Sequence, residues 1–113
     1  MSQLEWEQTL FTVILHAGNA RSSAKEAQEF ATERDWEAAQ ASLDEANDEV
    51  VLAHKSNVEI IQNEAKGEKV EFSVLLVHAL DLLVLAWSEI DFAEQFINLN
   101  KRVASLEDQL AKG

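Results

Sequence analysis

The stretch SVLLVHALDLLVLAW, residues 73–87, is an almost unbroken apolar run that contains two ionisable side chains, His78 and Asp81. A helix that packs against two others needs one apolar stripe and presents a polar face to water. Residues 74–87 have no polar face, and they fall short of the ~18 apolar residues that a membrane span requires. The run is therefore predicted to be a helix buried on several sides.

The composition around this run favours an all-α protein. The chain has 113 residues, no Pro and three Gly, so it lacks most of the residues that punctuate hairpins and sandwiches. Hydrophobic residues make up 47% of the chain and charged residues 27%, which is typical of a folded globular domain. One domain is expected over residues 1–113.

The first helix is predicted to begin near Leu4, because Ser2 and Glu5 have the spacing of a capping box. Its apolar residues alternate steps of four and three, which places them on one face. The second half of that face carries small side chains, which let a neighbouring helix approach closely. The predicted inner face consists of Trp6, Leu10, Val13, Ala17, Ala20, Ala24, Ala27 and Ala31.

Asp35 is the predicted N-cap of a second helix over about residues 36–66, which ends at Gly67. Its predicted inner face holds Leu43, Ala46, Val50, Ala53, Asn57 and Ile61.

The third helix is predicted to start near Ser73 and, at about 1.5 Å per residue, to reach nearly 60 Å, against about 45 Å for the other two. Residues from about 103 onward form a C-terminal helical extension. The predicted core stripe consists of Leu75, His78, Leu82, Leu85, Glu89, Phe92, Phe96, Leu99, Val103, Leu106 and Leu110.

Short loops predict an up-down-up three-helix bundle, with the first and third helices parallel. Beside the predicted core stripe, the third helix has a second apolar line of Val74, Val77 and Val84 that a monomer cannot cover. Exposing such residues forgoes ~1.5–3 kcal/mol each, so other subunits are expected to bury this line. The chain is predicted to be an oligomer.

Asp81 lies on the same line, which predicts a carboxylate in the subunit interface. Equivalent carboxylates brought together by symmetry repel by ~4 kcal/mol per pair at ~4 Å and an effective dielectric constant of about 20. A shared proton or a divalent cation relieves this, and oxygen ligands favour Mg²⁺ over zinc. The alternative is an Asp at a wet interface edge.

His78 precedes Asp81 by three residues and is its neighbour on the helix surface. Imidazole is nucleophilic and partly unprotonated near neutral pH, so it is well suited to accept and release a phosphoryl group. The alternative is a hydrogen-bonded structural histidine.

The charge balance and the absence of Cys exclude several classes. Nine Lys and Arg against twenty-one Asp and Glu give a net charge of −12, which repels nucleic acid and anionic lipid. No disulfide, thiolate metal site or Cys nucleophile is possible. The N-terminus has no basic region ahead of an apolar core, so a cytoplasmic location is expected.

Other polar residues leave alternatives open. A zinc hydrolase would need His16, His54 and His78 together, but the predicted topology puts His78 ~9 Å nearer the end of the bundle. Arg21 is either a contact for phosphate or a partner, or one half of a surface ion pair. The acidic residues of segment 31–50 are interpreted as a solvated face.

Three segments resemble the IIA component of the lactose/cellobiose (diacetylchitobiose) family of the bacterial sugar phosphotransferase system. HAGNARS at 16–22 is similar to its Gly-x-Ala-Arg-Ser segment, and AHKSNVEIIQNEAKGE at 53–68 to its Ala-His-x-x-Gln-Thr stretch. FSVLLVHALD at 72–81 resembles its Ser-x-x-Leu-Val-His-Ala-Gln-Asp-His.

The resemblance implies a homotrimer of three-helix subunits and a phosphotransferase component that works through a phosphohistidine. His78 aligns with the histidine that takes the phosphoryl group from the phosphocarrier HPr and gives it to a Cys of the IIB component during uptake of β-linked disaccharides. Asp81 aligns with the Asp that binds a metal ion on the trimer axis.

The sequence departs from the family pattern beside the aligned histidine. Leu80 and Leu82 stand where the family usually has Gln and His, and Asn57 where it commonly has Gln. A more apolar pocket disfavours a doubly charged phosphohistidine. The alternative function is therefore a trimeric relative with altered or lost phosphotransfer.

Overall fold

The computed structural model describes residues 1–113 as three long helices without strands, which confirms the all-α prediction. Helix α1 spans Gln3–Thr32, α2 spans Trp36–Ala65 and α3 spans Val74–Lys112. The molecule is a narrow rod with extents of 67 × 21 × 17 Å. Each helix therefore has one side on a thin shared core and another side facing outward.

Helices α1 and α2 begin at the predicted caps Ser2 and Asp35, and α3 begins at Ser73, near which its start is predicted. The Ser2 hydroxyl accepts from the Glu5 N–H at 3.2 Å, the Asp35 carboxylate from the Ala38 N–H at 3.1 Å, and the Ser73 hydroxyl from the Leu76 N–H at 3.0 Å. Each bond satisfies one of the amide groups that a helix start leaves without a partner. After α2, Gly67 adopts φ 94°, a conformation that only Gly adopts without strain.

Ion pairs between the helices establish the predicted up-down-up topology. Arg21 of α1 binds Glu89 of α3 at 3.0 Å, and Arg34 in the α1–α2 turn binds Asp108 of α3 at 3.0 Å. Positions that lie further along α1 thus meet positions further along α3, so these two helices are parallel. Helix α2 follows α1 after a turn of residues 33–35 and packs along it in the opposite direction. Helix α3 runs without a break past residue 103 and still lies beside the turn at residue 108.

Small residues line the core, as predicted for α1. Every predicted inner residue of α1 is buried except Trp6, which is half-buried at the end of the bundle. Alanines with no exposed area lie on all three helices, so the backbones approach closely and the core is thin. The α2 prediction is confirmed for four residues, Leu43, Ala46, Val50 and Ala53, but Ile61 is 56% exposed and Ile60 is buried instead.

The predicted core stripe of α3 is wrong by one residue. The buried stripe consists of Ala79, Leu83, Ala86, Ile90, Ala93, Ile97 and Ala104. It alternates small and large side chains, which fit against the small residues of α1. In the predicted stripe, Leu85, Phe92 and Leu99 are 46%, 56% and 56% exposed. Leu75, Leu82 and Phe96 of the predicted stripe are half-buried at the edge of the core, and its other apolar residues face outward.

Enlarging one residue of the alanine core should destabilise the fold. Ala24 is fully buried, so Ala24→Leu forces extra methyl groups between helices and is expected to lower the free energy of unfolding by about 1–3 kcal/mol. Glu29→Leu places the same side chain on the exposed face of α1 and is expected to change it by less than about 0.5 kcal/mol. Urea unfolding measures both values. Equal values for the two variants would contradict the close packing described above.

Candidate functional site

His78 is an exposed side chain on the first turns of α3, close to the end of the bundle. It makes no side-chain hydrogen bond and no salt bridge within the subunit. The helix that carries it is anchored by the core residues Ala79 and Leu83, so the backbone position is fixed while the ring is accessible. An accessible imidazole with no intramolecular partner has the properties of a nucleophile that reacts with another molecule.

Asp81 lies on an outer seam of α3, on the side opposite the core. It is exposed and has no hydrogen-bond partner within the subunit. Large apolar residues accompany it along the whole helix. This seam consists of Val74, Val77, Val84, Leu85, Phe92, Leu99, Val103, Leu106 and Leu110, which are between 39% and 82% exposed. The second apolar line predicted from the sequence is thus uncovered in the single subunit.

Leu80 and Leu82 occupy different sides of α3. Leu82 follows His78 by four residues, lies on the same face of the helix, and is half-buried against the core. Leu80 follows it by two residues, a spacing that points away from His78, and is 38% exposed. Of these two residues, only Leu82 lies next to the His78 ring within one chain.

The three histidines do not form a metal site. His16 Nδ1 lies 2.6 Å from Glu49 Oε2, so the carboxylate accepts the Nδ1 proton across the α1–α2 interface. The His54 ring packs against Trp87 at 5.1 Å between centroids. No group of three or more His, Cys, Asp or Glu side chains gathers in the chain, so the zinc-hydrolase alternative has no site within a subunit.

Arg21 forms an ion pair between helices. Its Nε and Nη2 donate to Glu89 Oε1 at 3.3 and 3.0 Å, and both side chains are about one-third exposed. This ion pair agrees with one of the two interpretations of Arg21 from the sequence. The acidic residues of segment 31–50 face solvent as expected, apart from Glu49, whose carboxylate pairs with His16.

A small cavity lies beside the start of α3. It has a volume of about 100 Å³ and lies between the first turns of α1, the loop before α3, and Leu75 and Leu76. The N-terminus is held close to this loop, because the Met1 amino group donates a hydrogen bond to the Glu68 carboxylate at 2.7 Å. This hydrogen bond raises the pKa of the amino group above its usual value. At the other end of the bundle, the hydrogen bond that the Arg34 side chain donates to Asp108 raises the pKa of the guanidinium.

Two of these features could not be read from the sequence. The pairing of His16 with Glu49 and the contact of His54 with Trp87 depend on how each helix is rotated about its own axis. No local motif encodes either contact.

No helix has the length and apolarity needed to cross a bilayer.

Comparison with known proteins identifies relatives along almost the whole chain. The sequence model of the family described as "PTS system, Lactose/Cellobiose specific IIA subunit" matches residues 8–101. The lichenan-specific phosphotransferase enzyme IIA component of Bacillus subtilis (strain 168) is 46% identical over 99 residues, 88% of this chain and 90% of the relative. The lactose-specific EIIA component of Staphylococcus epidermidis is 32% identical over 81% of this chain and 88% of its own length.

A solved structure has the same fold. The crystal structure of the cellobiose-specific enzyme IIA from Bacillus anthracis aligns with a TM-score of 0.87 and 41% identity. The alignment covers 93% of this chain and 94% of that one.

Proposed function

The chain belongs to the lactose/cellobiose-specific IIA family of the sugar phosphotransferase system, and we propose that it carries the phosphoryl group on His78. Membership makes it a phosphotransfer component of sugar uptake. The observation that carries the proposal is the position of His78. The resemblance of FSVLLVHALD to the family's segment implies that His78 is the phosphorylated histidine. Its ring is exposed on a rigid helix and has no partner within the chain.

The proposed cycle has two transfers. A ring nitrogen of neutral His78 attacks the phosphorus of phosphorylated HPr, and the bond from that phosphorus to the donor histidine breaks as the new P–N bond forms. The second nitrogen of the His78 ring keeps its proton. A Cys thiolate of the IIB component then attacks the phosphorus, forming a P–S bond and returning His78 to its neutral form.

The proposed setting is the cytoplasm, and the proposed class of sugar is β-linked disaccharides. Relatives named for lichenan, lactose and cellobiose support this class. The experiment that tests the relay is incubation of catalytic amounts of the chain with phosphorylated HPr and excess IIB. Phosphorylation of IIB that depends on the chain is expected, and the absence of labelled IIB would contradict the relay.

The proposed assembly is a homotrimer built on the outer seam of α3. The seam runs along the whole helix, and its exposed apolar residues would become buried against equivalent residues of the other subunits. Parallel packing around a threefold axis brings together three copies of Asp81, one from each subunit. The residues of one chain fit this arrangement because Asp81 is exposed on the seam and has no partner within the subunit.

We propose that Asp81 from the three subunits holds Mg²⁺ or a similar divalent cation. The cation would supply positive charge that offsets the repulsion between the carboxylates. Its proposed role is in assembly, and phosphoryl transfer at His78 uses the histidine ring alone.

Magnesium should stabilise the wild-type trimer and leave an Asp81→Asn trimer unaffected. Because the amide carries no charge, the variant loses both the repulsion and the affinity for the cation. Sedimentation in Mg²⁺ and in a chelator should show that Mg²⁺ tightens wild-type association by at least about tenfold. An identical association constant for the wild type in both buffers would refute the cation site.

The second candidate function is a trimeric relative with altered or lost phosphotransfer, favoured by the apolar side chain of Leu82 next to His78. If this apolar contact limits transfer, Leu82→His should raise the rate of transfer from HPr by about tenfold, because it adds a donor for the phosphoryl oxygens. Leu80→Gln is the matched control and should have a smaller effect, since residue 80 lies on another side of the helix. A larger effect of Leu80→Gln would contradict the assignment of these two faces.

A further inference from the structure

The two cationic residues of α1 lie beside the outer seam of α3. Arg21 and Lys25 are one helical turn apart and line the same open groove between α1 and α3. A part of this groove with a volume of about 400 Å³ is lined by Lys25, Glu89 and Phe92. Phe92 also belongs to the outer seam, so the groove continues into the surface on which the proposed trimer is built. This groove is the α1 flank of the seam.

Lys25 has no partner within the subunit. Its side chain is exposed and makes no hydrogen bond or salt bridge, and Glu89 in the same groove already binds Arg21 at 3.0 Å. The chain has a net charge of −12, so a neighbouring copy offers many carboxylates. An exposed and unpaired cation at the edge of a subunit interface is complementary to a carboxylate of the next copy.

Asp91 lies on the opposite flank of the seam. Trp87, one turn earlier on α3, packs against His54 of α2, so this is the α2 flank. Val84 belongs to the seam and precedes Asp91 by two turns, which places Asp91 at the edge of the seam. The Asp91 side chain is exposed, and its Oδ2 accepts from Gln95 on the same helix at 3.2 Å. Its Oδ1 has no partner in the subunit and is available to a cation.

A threefold axis brings these two flanks together. In a ring of identical subunits every interface is heterologous, so the α1 flank of one subunit faces the α2 flank of the next. Rotation about an axis parallel to α3 keeps each residue at its height along the helix. Lys25 lines the groove with Ser88 and Phe92, which lie within about one turn of Asp91. Lys25 of one subunit and Asp91 of the next are therefore at the same height on facing surfaces.

We propose that Lys25 of each subunit forms an ion pair with Asp91 of the next subunit, so that three such pairs close the ring around the apolar seam. This pairing rests on the trimer of the proposed function and adds which flanks meet and which charges join them. Burial of the apolar seam is non-directional, so it does not fix how neighbouring helices align. The three ion pairs supply that alignment, because opposite charges meet in only one register.

Charge reversal tests the pair. Lys25→Glu and Asp91→Lys each replace attraction with repulsion at all three interfaces, so each should lower the trimer association constant by about a hundredfold at low ionic strength. Added salt should reduce both losses. The double variant Lys25→Glu/Asp91→Lys exchanges the partners and should return the constant to within about fivefold of the wild type. Sedimentation measures association, and circular dichroism verifies the helical fold.

Lys55→Glu is the matched control for charge. Lys55 is exposed on α2 and lines neither flank of the seam, so this variant has the net charge of Lys25→Glu with the groove unchanged. Its association constant should stay within about threefold of the wild type.

Crosslinking tests the contact directly. The chain has no Cys, so Lys25→Cys/Asp91→Cys places one thiol on each flank and none elsewhere. At a concentration where sedimentation finds trimers, a short bismaleimide should join three chains into one band on a denaturing gel. A single thiol per chain can join at most two chains, so each single Cys variant is the control and should give no trimer band.

Three results would overturn the ion pair. These are single charge variants that associate like Lys55→Glu, a double charge variant that associates no better than the weaker single variant, and no covalent trimer from a double Cys variant that sediments as a trimer. Wild-type sedimentation separates this test from the test of assembly. A monomeric wild type would refute the proposed trimer and the pair with it, whereas a trimeric wild type with any of the three results refutes the pair alone. Transfer from HPr to His78 tests the phosphocarrier separately.

Discussion

Replacing His78 with Ala should reduce phosphoryl transfer from HPr to IIB by at least about four orders of magnitude. The side chain is the proposed attacking nucleophile, and loss of a nucleophile removes the covalent route altogether. The fold should be unaffected, because His78 is exposed and makes no hydrogen bond within the subunit. Rates of IIB phosphorylation and the urea midpoint measure the two properties separately.

His54→Ala is the matched control for this loss. His54 is also an exposed imidazole, but it packs against Trp87 and is not the histidine to which the proposed function assigns the phosphoryl group. It should retain transfer within about threefold of the wild type and lose at most ~1 kcal/mol of stability with the aromatic contact. Loss of transfer in His54→Ala together with activity in His78→Ala would reassign the carrier.

The second large effect is expected on the outer seam of α3. Leu99 is 56% exposed in the subunit and belongs to the outer seam of α3 that would face the other subunits. Leu99→Glu removes about 1.5–3 kcal/mol of burial from each of three subunits and adds three like charges. The trimer association constant should fall by at least about a thousandfold, which sedimentation would record as a shift to monomer.

Asn98→Glu controls for the added charge. Residue 98 is exposed on the same helix, one position away from the seam, so the same carboxylate enters without occupying the proposed interface. It should leave the trimer intact. A monomeric Asn98→Glu variant, or a trimeric Leu99→Glu variant, would show that the seam is not the subunit interface.

Much of the subunit fold is predictable from local sequence. Ser2, Asp35 and Ser73 cap the three helices because a side-chain oxygen at each start binds an amide one turn later. The stripe of α1 is predictable because apolar residues recur at steps of four and three along its whole length. Gly67 is predictable as the end of α2 because glycine adopts the positive φ found there without strain.

The rotation of α3 is not predictable in the same way. Its first half is apolar on every side, so two stripes with the same heptad period compete for the core. The buried stripe is the one with alternating small residues, Ala79, Ala86 and Ala93, because the thin core opposite α1 has no room for Leu85 or Phe92. Size complementarity between helices decides this choice, whereas hydrophobic period alone does not.

The candidate site was predictable to a different extent. His78 and Asp81 stand out in the sequence as ionisable residues in an apolar run, and the structure places both on the exposed side of α3. The cavity beside Trp6 depends on how the start of α1 meets the loop before α3. Such contacts join residues about 70 positions apart in the chain, so no local sequence pattern predicts them.

The most direct test of the account is to locate the phosphoryl group itself. Wild-type protein incubated with phosphorylated HPr should gain one acid-labile phosphoryl group, and fragmentation at neutral pH should place it on the peptide that contains His78. No gain in mass, or a phosphoryl group on the peptide of His16 or His54, would contradict the claim that His78 is the carrier.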